Sequence, residues 1–294
     1  MKFAFFLGCN IPARVQHYDI SARAVLEKLD VRVTDIRDFN CCGYPMRNAD
    51  FETYILFSVR NLALAEKEGL NMMTLCKCCF GSLKKANHLV REDSALMEKT
   101  NSFLADEGLQ YKGTVEVTHF LSVLHGEIGT AALKEKITKP FADLKIATHY
   151  GCHALRPSDI TRFDDPVAPV IFDQLVEVTG AKSIEWSLKL ECCGAPLLGM
   201  NDGLSMDLTE KKLMDGKNSG ADYLCAACPW CQLQFDQVQK MMVSMRGTNH
   251  HLPCIIYSQL LGLAMGVDGG RLGMGMNEMD IGGIEAYLSE DVAT

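Results

Sequence analysis

Glu191-Cys192-Cys193-Gly194-Ala195-Pro196 repeats, 151 residues further on, the pattern Asn40-Cys41-Cys42-Gly43-Tyr44-Pro45. Each pair of neighbouring cysteines has the same escort. A lone Gly-Cys stands upstream (Gly8-Cys9, Gly151-Cys152) and a Cys-x-x-Cys stands downstream (Cys76 with Cys79, Cys228 with Cys231). Each half of the chain therefore offers five thiols in three clusters. Gly69 and Gly220 keep the same 151-residue offset, whereas Cys9 and Cys152 are 143 apart. The second half thus carries extra residues after its first cysteine, around Arg156 to Pro166, and the whole reads as an internal duplication.

Outward from these motifs the chain alternates short apolar runs with helical periodicity. Lys2 to Phe6, Val31 to Ile36, Met72 to Leu75 and Thr114 to Thr118 read as strands of the first half, the first three each ending on cysteine. Helices are expected at Ile20–Leu29, at Phe51–Glu68 closed by Gly69, and at 80–90. The second half repeats the order. Lys145 to His149, Ser183 to Trp186 and Ala221 to Leu224 are its strands, with helices near 170–178, 206–219 and 232–245. This alternation implies parallel sheets, whose ligands gather beyond the carboxyl ends of the strands. The expected fold is α/β: two similar parallel-sheet, Rossmann-like lobes, residues 1–140 and 141–294, joined near residues 135–143. The glycine- and methionine-rich tail after Gly266 opens no helix and follows no clear strand, so it is expected to be a docking or disordered tail rather than a dinucleotide loop.

The composition narrows the function. A chain of 294 residues with 48% hydrophobic content can bury one large core or two ordinary ones. A net charge of −8 without a basic stripe argues against nucleic acid. The apolar start is too short for a signal peptide, and the run from Leu252 to Met265 is too short and too polar to span a bilayer, so a soluble, cytoplasmic protein is expected. Thirteen cysteines in a reducing compartment point to metal binding or redox chemistry rather than a disulfide framework.

Thiolates are soft ligands that suit zinc or iron–sulfur clusters. Structural zinc takes four ligands, usually from two Cys-x-x-Cys knuckles, and each half here has only one such knuckle. A vicinal pair plus a lone cysteine is better addressed by a larger inorganic body with several irons. Glycine after the pair lets the backbone turn sharply close to that body. Cys225 and Cys228 also form a Cys-x-x-Cys and compete with Cys228 and Cys231; the repeat register favours the latter. Cys78 and Cys225 have no partner in the other half and would line a site without binding. Cys254 reads as a small buried hydrophobe. His149, Tyr150 and His153 flank Cys152 and are candidates for supplying protons, with packing as the alternative. Lys77, Lys84, Lys85, His88, Arg14 and Arg47 gather near the first-half loops, as an anion-binding group or a solvated face.

The tandem lone-Cys, Cys-Cys-Gly, Cys-x-x-Cys pattern, with Phe6-Leu7-Gly8-Cys9, His149-Tyr150-Gly151-Cys152-His153, Phe163-Asp164-Asp165-Pro166 and Cys228-Pro229-Trp230-Cys231-Gln232-Leu233-Gln234-Phe235-Asp236, resembles the cysteine-rich CCG domain family, most closely the B subunits of heterodisulfide reductase. The resemblance covers nearly the whole chain. It implies two non-cubane four-iron four-sulfur clusters, one on Cys9, Cys41, Cys42, Cys76 and Cys79, the other on Cys152, Cys192, Cys193, Cys228 and Cys231. It implies reduction of the mixed disulfide of coenzyme M and coenzyme B, one electron at a time. It further implies two partners, one ferredoxin-like and one flavin-containing, with a hydrogenase or formate dehydrogenase module, in a soluble electron-bifurcating assembly of anaerobic, methanogenic metabolism. The chain has no ferredoxin-type cysteine run of its own, so a partner must bring the electrons. The rivals are an electron-relay CCG subunit of another oxidoreductase and a double zinc scaffold.

Overall fold

The computed structural model describes residues 1–247 and 251–289. In chain order the regular elements are β1 (Lys2–Phe6), α1 (Asn10–Arg14), α2 (Gln16–Lys28), β2 (Arg32–Thr34), α3 (Phe51–Lys67), β3 (Met72–Thr74), α4 (Lys77–Glu92), α5 (Ser94–Leu104) and β4 (Val117–His119). They continue as α6 (Phe120–Ser122), α7 (Thr130–Glu135), β5 (Lys145–His149), α8 (Ser158–Thr161), α9 (Ile171–Val178), β6 (Lys182–Ser183) and α10 (Asp202–Asn218). Last come β7 (Tyr223–Ala226), α11 (Pro229–Leu233), α12 (Gln239–Arg246), β8 (Cys254–Ile256) and α13 (Tyr257–Ala264).

The strands form two four-stranded, wholly parallel sheets of matching order, β2-β1-β3-β4 and β6-β5-β7-β8. Parallel sheets bury both faces, which is why β1 and β5 are buried without alternation from their second residue onward. The long helix of each repeat begins with the same device: Asp50 caps α3 at Thr53 N, and Asn201 caps α10 at Leu204 N. On α3, Tyr54, Ile55, Val59 and Leu62 are buried at helical spacing. Side chains of this size contribute about 1.5–3 kcal/mol each when fully buried.

The compact units are not the two sequence halves 1–140 and 141–294. The first unit comprises Met1–Cys9, Val31–Phe120 and His153–Val167; the second comprises Asn10–Asp30, Leu121–Cys152 and the chain from Ala168 onward. The chain thus changes unit directly after the lone cysteine of each repeat. In the first unit the extra residues of the second half supply α8, whose Thr161 carbonyl accepts from Lys84 Nζ at 2.9 Å. There too Phe163 packs edge-on against Phe80 and His119. In the second unit, α2 is tied to α13 through Ser21 Oγ and Ser258 Oγ, 2.6 Å apart.

Two segments left unassigned by the sequence take regular structure, and the expectation for the tail is overturned. The polar stretch after α4 forms α5, capped by Asp93 at Leu96 N; only Thr100 and Leu104 are buried, so it lacks an apolar stripe. The run from Leu252 to Met265 is a core strand and a helix buried on every side, β8 and α13, extending the second sheet. The tail is neither disordered nor free for docking as far as Ser289: Leu272, Ile281 and Ile284 are buried, and the Asp236 carboxylate accepts from the backbone N–H of Glu278 and Met279. Residues 290–294 lie outside the described residues.

The same packing buries His17, whose ring is pushed down to about 4 by desolvation. As pH falls below the ordinary histidine value, the unfolded chain takes up a proton that the folded one refuses, so stability is lost from about pH 6.5 toward 4. Asp236, raised to about 6 by burial, acts in the opposite sense: its contribution is present at low pH and lost as pH rises through that value. From about pH 7.5 to about 5.5, His17 alone should cost roughly 1.3 kcal/mol. Urea unfolding of His17→Leu against the parent at the two pH values isolates this contribution, and an equal pH dependence in both proteins would refute it.

Candidate metal centres

Because the first three strand ends of each sheet lie side by side, their following loops deliver cysteines to one place. The segments after β1, β2 and β3 carry Cys9, Cys41–Cys42 and Cys76, with Cys79 in the first turn of α4; those after β5, β6 and β7 carry Cys152, Cys192–Cys193 and Cys228, with Cys231 in α11. In the first unit the thiols form an unbroken chain of side-chain hydrogen bonds, Cys9–Cys41–Cys42–Cys79–Cys76. In the second unit the chain is Cys152–Cys192–Cys193–Cys231–Cys228. The order is identical, position for position.

The backbone around each vicinal pair is held equivalently. Ser58 donates to the carbonyl of Cys42 at 2.7 Å, and Thr209 to that of Cys193 at 3.0 Å. Gly43 and Gly194 have φ of +80° and +94°. A Cβ on them would stand 2.7 Å from the carbonyl oxygen of Tyr54 and 2.5 Å from that of Ser205. Both glycines thus pass too close to the following helix for a side chain to fit. Sequence reading missed Ser58 and Thr209, although they share the 151-residue offset.

The electrostatics of each set follow from the crowding of its thiols. Cys41 is drawn far down by hydrogen bonds from Cys42 and Cys9. Cys9 and Cys42 are raised chiefly by their bonds to Cys41, and Cys79 by its bonds to Cys42 and Cys76 and by burial. In the second unit Cys193 is pushed up to about 12 by its bond to Cys192, and Cys231 is raised by Cys193 and Cys228. Thiolates packed this closely repel one another, and only a cationic body lets them ionise together. Five contacting soft donors exceed the four of a closed zinc site and fit a multi-iron cluster. A cavity of about 320 Å³, walled by Phe5, Leu7, Ile36 and Phe39, reaches Cys9 and Cys41; Cys9 is exposed and Cys41 half-buried.

The remaining candidates separate. His149 is fully buried at the end of β5, its ring nitrogen within 4.8 Å of the Cys193 and Cys231 sulfurs and its ring edge-on to Phe235. His153, one residue past Cys152, belongs to the first unit: Nδ1 lies 3.4 Å from Cys78 Sγ, and Nε2 3.2 Å from Tyr44 Oη. Tyr150 is taken up structurally, donating to Asp173 and accepting from the N–H groups of Phe172 and Asp173. Cys225 lies inside β7, paired with Thr148 and Ile255, and Cys254 is buried and donates to Gln232 Oε1. Lys77 is 2% exposed, Lys84 is engaged by Thr161, Arg47 stacks on Tyr44, and Arg14 belongs to the second unit.

Two parallel sheets presenting duplicated five-thiol sets define a tandem cysteine-rich protein, and the cysteine-rich domain family named CCG matches residues 3–84 and 146–236. The chain is 40% identical, over 94% of its length and 93% of the relative's, to the B subunit of the ferredoxin/F420H2-dependent CoB-CoM heterodisulfide reductase of Methanosarcina acetivorans. It is 32% identical, over 95% of its length and 97% of the relative's, to the 8-methylmenaquinol:fumarate reductase membrane anchor subunit of Wolinella succinogenes. A hypothetical protein from Helicobacter pylori shares the fold, with a TM-score of 0.77 at 18% identity over 95% of this chain; this chain spans about half (52%) of that one. The chain belongs to the tandem CCG family of heterodisulfide reductase B subunits. Among the described residues, no helix is long and apolar enough to cross a membrane.

Proposed function

We propose that this chain is the iron–sulfur catalytic subunit of a heterodisulfide reductase. Each five-thiol set would hold one non-cubane four-iron four-sulfur cluster, and the substrate would be the mixed disulfide of coenzyme M and coenzyme B or a related disulfide. The observation that carries this reading is the pair of equivalent five-thiol chains, one per repeat. Cleaving a disulfide to two thiols consumes two electrons and two protons, and a cluster held by each five-thiol set would supply one-electron chemistry beside the substrate. The chain's own residues hold the ligands: Ser58 and Thr209 fix the vicinal cysteines, while Gly43 and Gly194 let the loops turn against α3 and α10. His149 at the second set and His153, bonded to Cys78 at the first, are the groups proposed to exchange protons. Electrons would arrive through ferredoxin-like and flavin-containing partners, in a bifurcating complex with a hydrogenase or formate dehydrogenase module.

A second reading, an electron-relay subunit of another oxidoreductase, is favoured by the likeness to the fumarate reductase protein, which also spans nearly the whole chain. Anaerobic oxidation of reduced viologen by this chain with its ferredoxin-like partner separates the two. Turnover that depends on the heterodisulfide is expected. Intact clusters without such turnover would overturn the reductase reading and leave the relay, whereas stoichiometric zinc in place of iron would overturn both.

A further inference from the structure

One cation is buried behind the thiols of the second unit. Lys212, on α10, is 1% exposed; its ammonium donates to the carbonyl of Leu188 and stands 4.7 Å over the ring of Trp186. One turn earlier on the same helix, Thr209 holds the carbonyl of Cys193, so Lys212 shares the face of α10 that carries the Cys192-Cys193-Gly194 loop. Among the described residues no carboxylate forms an ion pair with it. Burial pushes the ammonium down to about 8, while Cys193, Cys231, Glu191 and Cys192, in that order, act to keep it protonated.

The repeat shows what this station looks like without the charge. At the 151-residue offset that relates Ser58 to Thr209, the counterpart of Lys212 is Asn61. Asn61 Nδ2 donates to the Cys41 carbonyl at 3.1 Å and to Asn40 Oδ1 at 2.9 Å, and its Oδ1 accepts from Asn40 N. One station of one fold thus carries a neutral tether in the first unit and a buried ammonium in the second. The first unit's own buried lysine, Lys77, stands between Cys76 and Cys78, where the second unit has Pro229. A lone buried ammonium is expensive, and it is retained where a negative charge offsets that cost.

We propose that Lys212 is an electrostatic positioning residue of the second centre. It stabilises the reduced, more negative form of a cluster held by Cys152, Cys192, Cys193, Cys228 and Cys231, and so raises that cluster's reduction potential. The proposal rests on the iron–sulfur reading above. Its physics is that a cluster potential follows the charge buried around it: a fixed cation in a medium of low dielectric favours the state with one more electron.

The test is a potentiometric titration of the anaerobically prepared protein, followed by electron paramagnetic resonance, with iron counted in every sample. Lys212→Met and Lys212→Asn, the latter copying the first unit, should keep their iron and lower the midpoint of one centre. The expected shift is tenfold or more in its one-electron equilibrium, which is 59 mV. Lys212→Arg should restore the parent potential. Iron lost from the neutral variants but kept, at the parent potential, by the arginine variant would equally support a requirement for charge. Unmoved midpoints with iron retained would overturn the proposal while leaving the iron–sulfur reading standing. Loss of iron from all three variants would also overturn it, making Lys212 a packing residue. Absence of iron from the parent protein would instead refute the reading on which it rests.

Discussion

Cys42→Ser protein prepared without oxygen should hold about half the iron of the parent, falling from roughly eight atoms toward four if two four-iron clusters are present. Cys193→Ser should do the same in the other unit. Each replaced thiol is the middle member of its contact chain, bonded on one side to its vicinal neighbour and on the other to the second cysteine of the Cys-x-x-Cys. Serine is a hard, weakly acidic donor, so its substitution both breaks the chain and removes a soft ligand. Heterodisulfide-dependent viologen oxidation should vanish in both variants. Cys254→Ser is the control: this thiol is buried, donates to Gln232 and is a member of neither chain of bonded thiols, and iron should stay at the parent level. Unchanged iron in Cys42→Ser or Cys193→Ser would remove that residue from the ligand set.

Gly194→Ala is expected to be nearly as damaging, for reasons of backbone alone. The residue has φ +94°, and a Cβ there would meet the Ser205 carbonyl at 2.5 Å, a backbone atom of α10 that cannot turn aside. The left-handed conformation itself costs an L-residue about 1–2 kcal/mol. Relieving the clash must move the loop bearing Cys193, the helix, or both. Gly220→Ala separates the two contributions, because Gly220 has nearly the same φ, +90°, with nothing within 4 Å of its added methyl. Gly220→Ala should lose only about 1–2 kcal/mol on urea unfolding and keep its iron. Gly194→Ala should lose more than that, together with the iron of one cluster. Equal losses in the two variants, with iron intact, would show that the close approach at Gly194 does not hold the centre.

The thiol sets were legible in the sequence because duplication wrote each pattern twice and because strand ends can be read from apolar runs. Cysteines following β1, β2 and β3 had to meet once those strands were neighbours, and the same holds for β5, β6 and β7. Helix α5 was not legible, since a helix that buries only Thr100 and Leu104 leaves almost no periodic signal. The tail was misread for a related reason: its glycines gave no helix or strand signature, and its anchoring depends on Asp236, more than forty residues earlier. Nothing in the local sequence marks Lys212; only burial distinguishes it from a solvated lysine.

The sequence by itself determined the duplication, the class of two parallel sheets and which thiols stand at which strand ends, because these follow from local periodicity and spacing. Tertiary structure alone decided that the chain changes unit after Cys9 and again after Cys152, so that His153 hydrogen-bonds Cys78 and Tyr44 of the first unit. It also decided that one repeat buries an ammonium where the other buries an amide. These choices depend on which surfaces α1, α2 and α8 cover and on what lies behind each cysteine loop. They are set by burial between segments far apart in the chain, to which the local pattern of residues is blind.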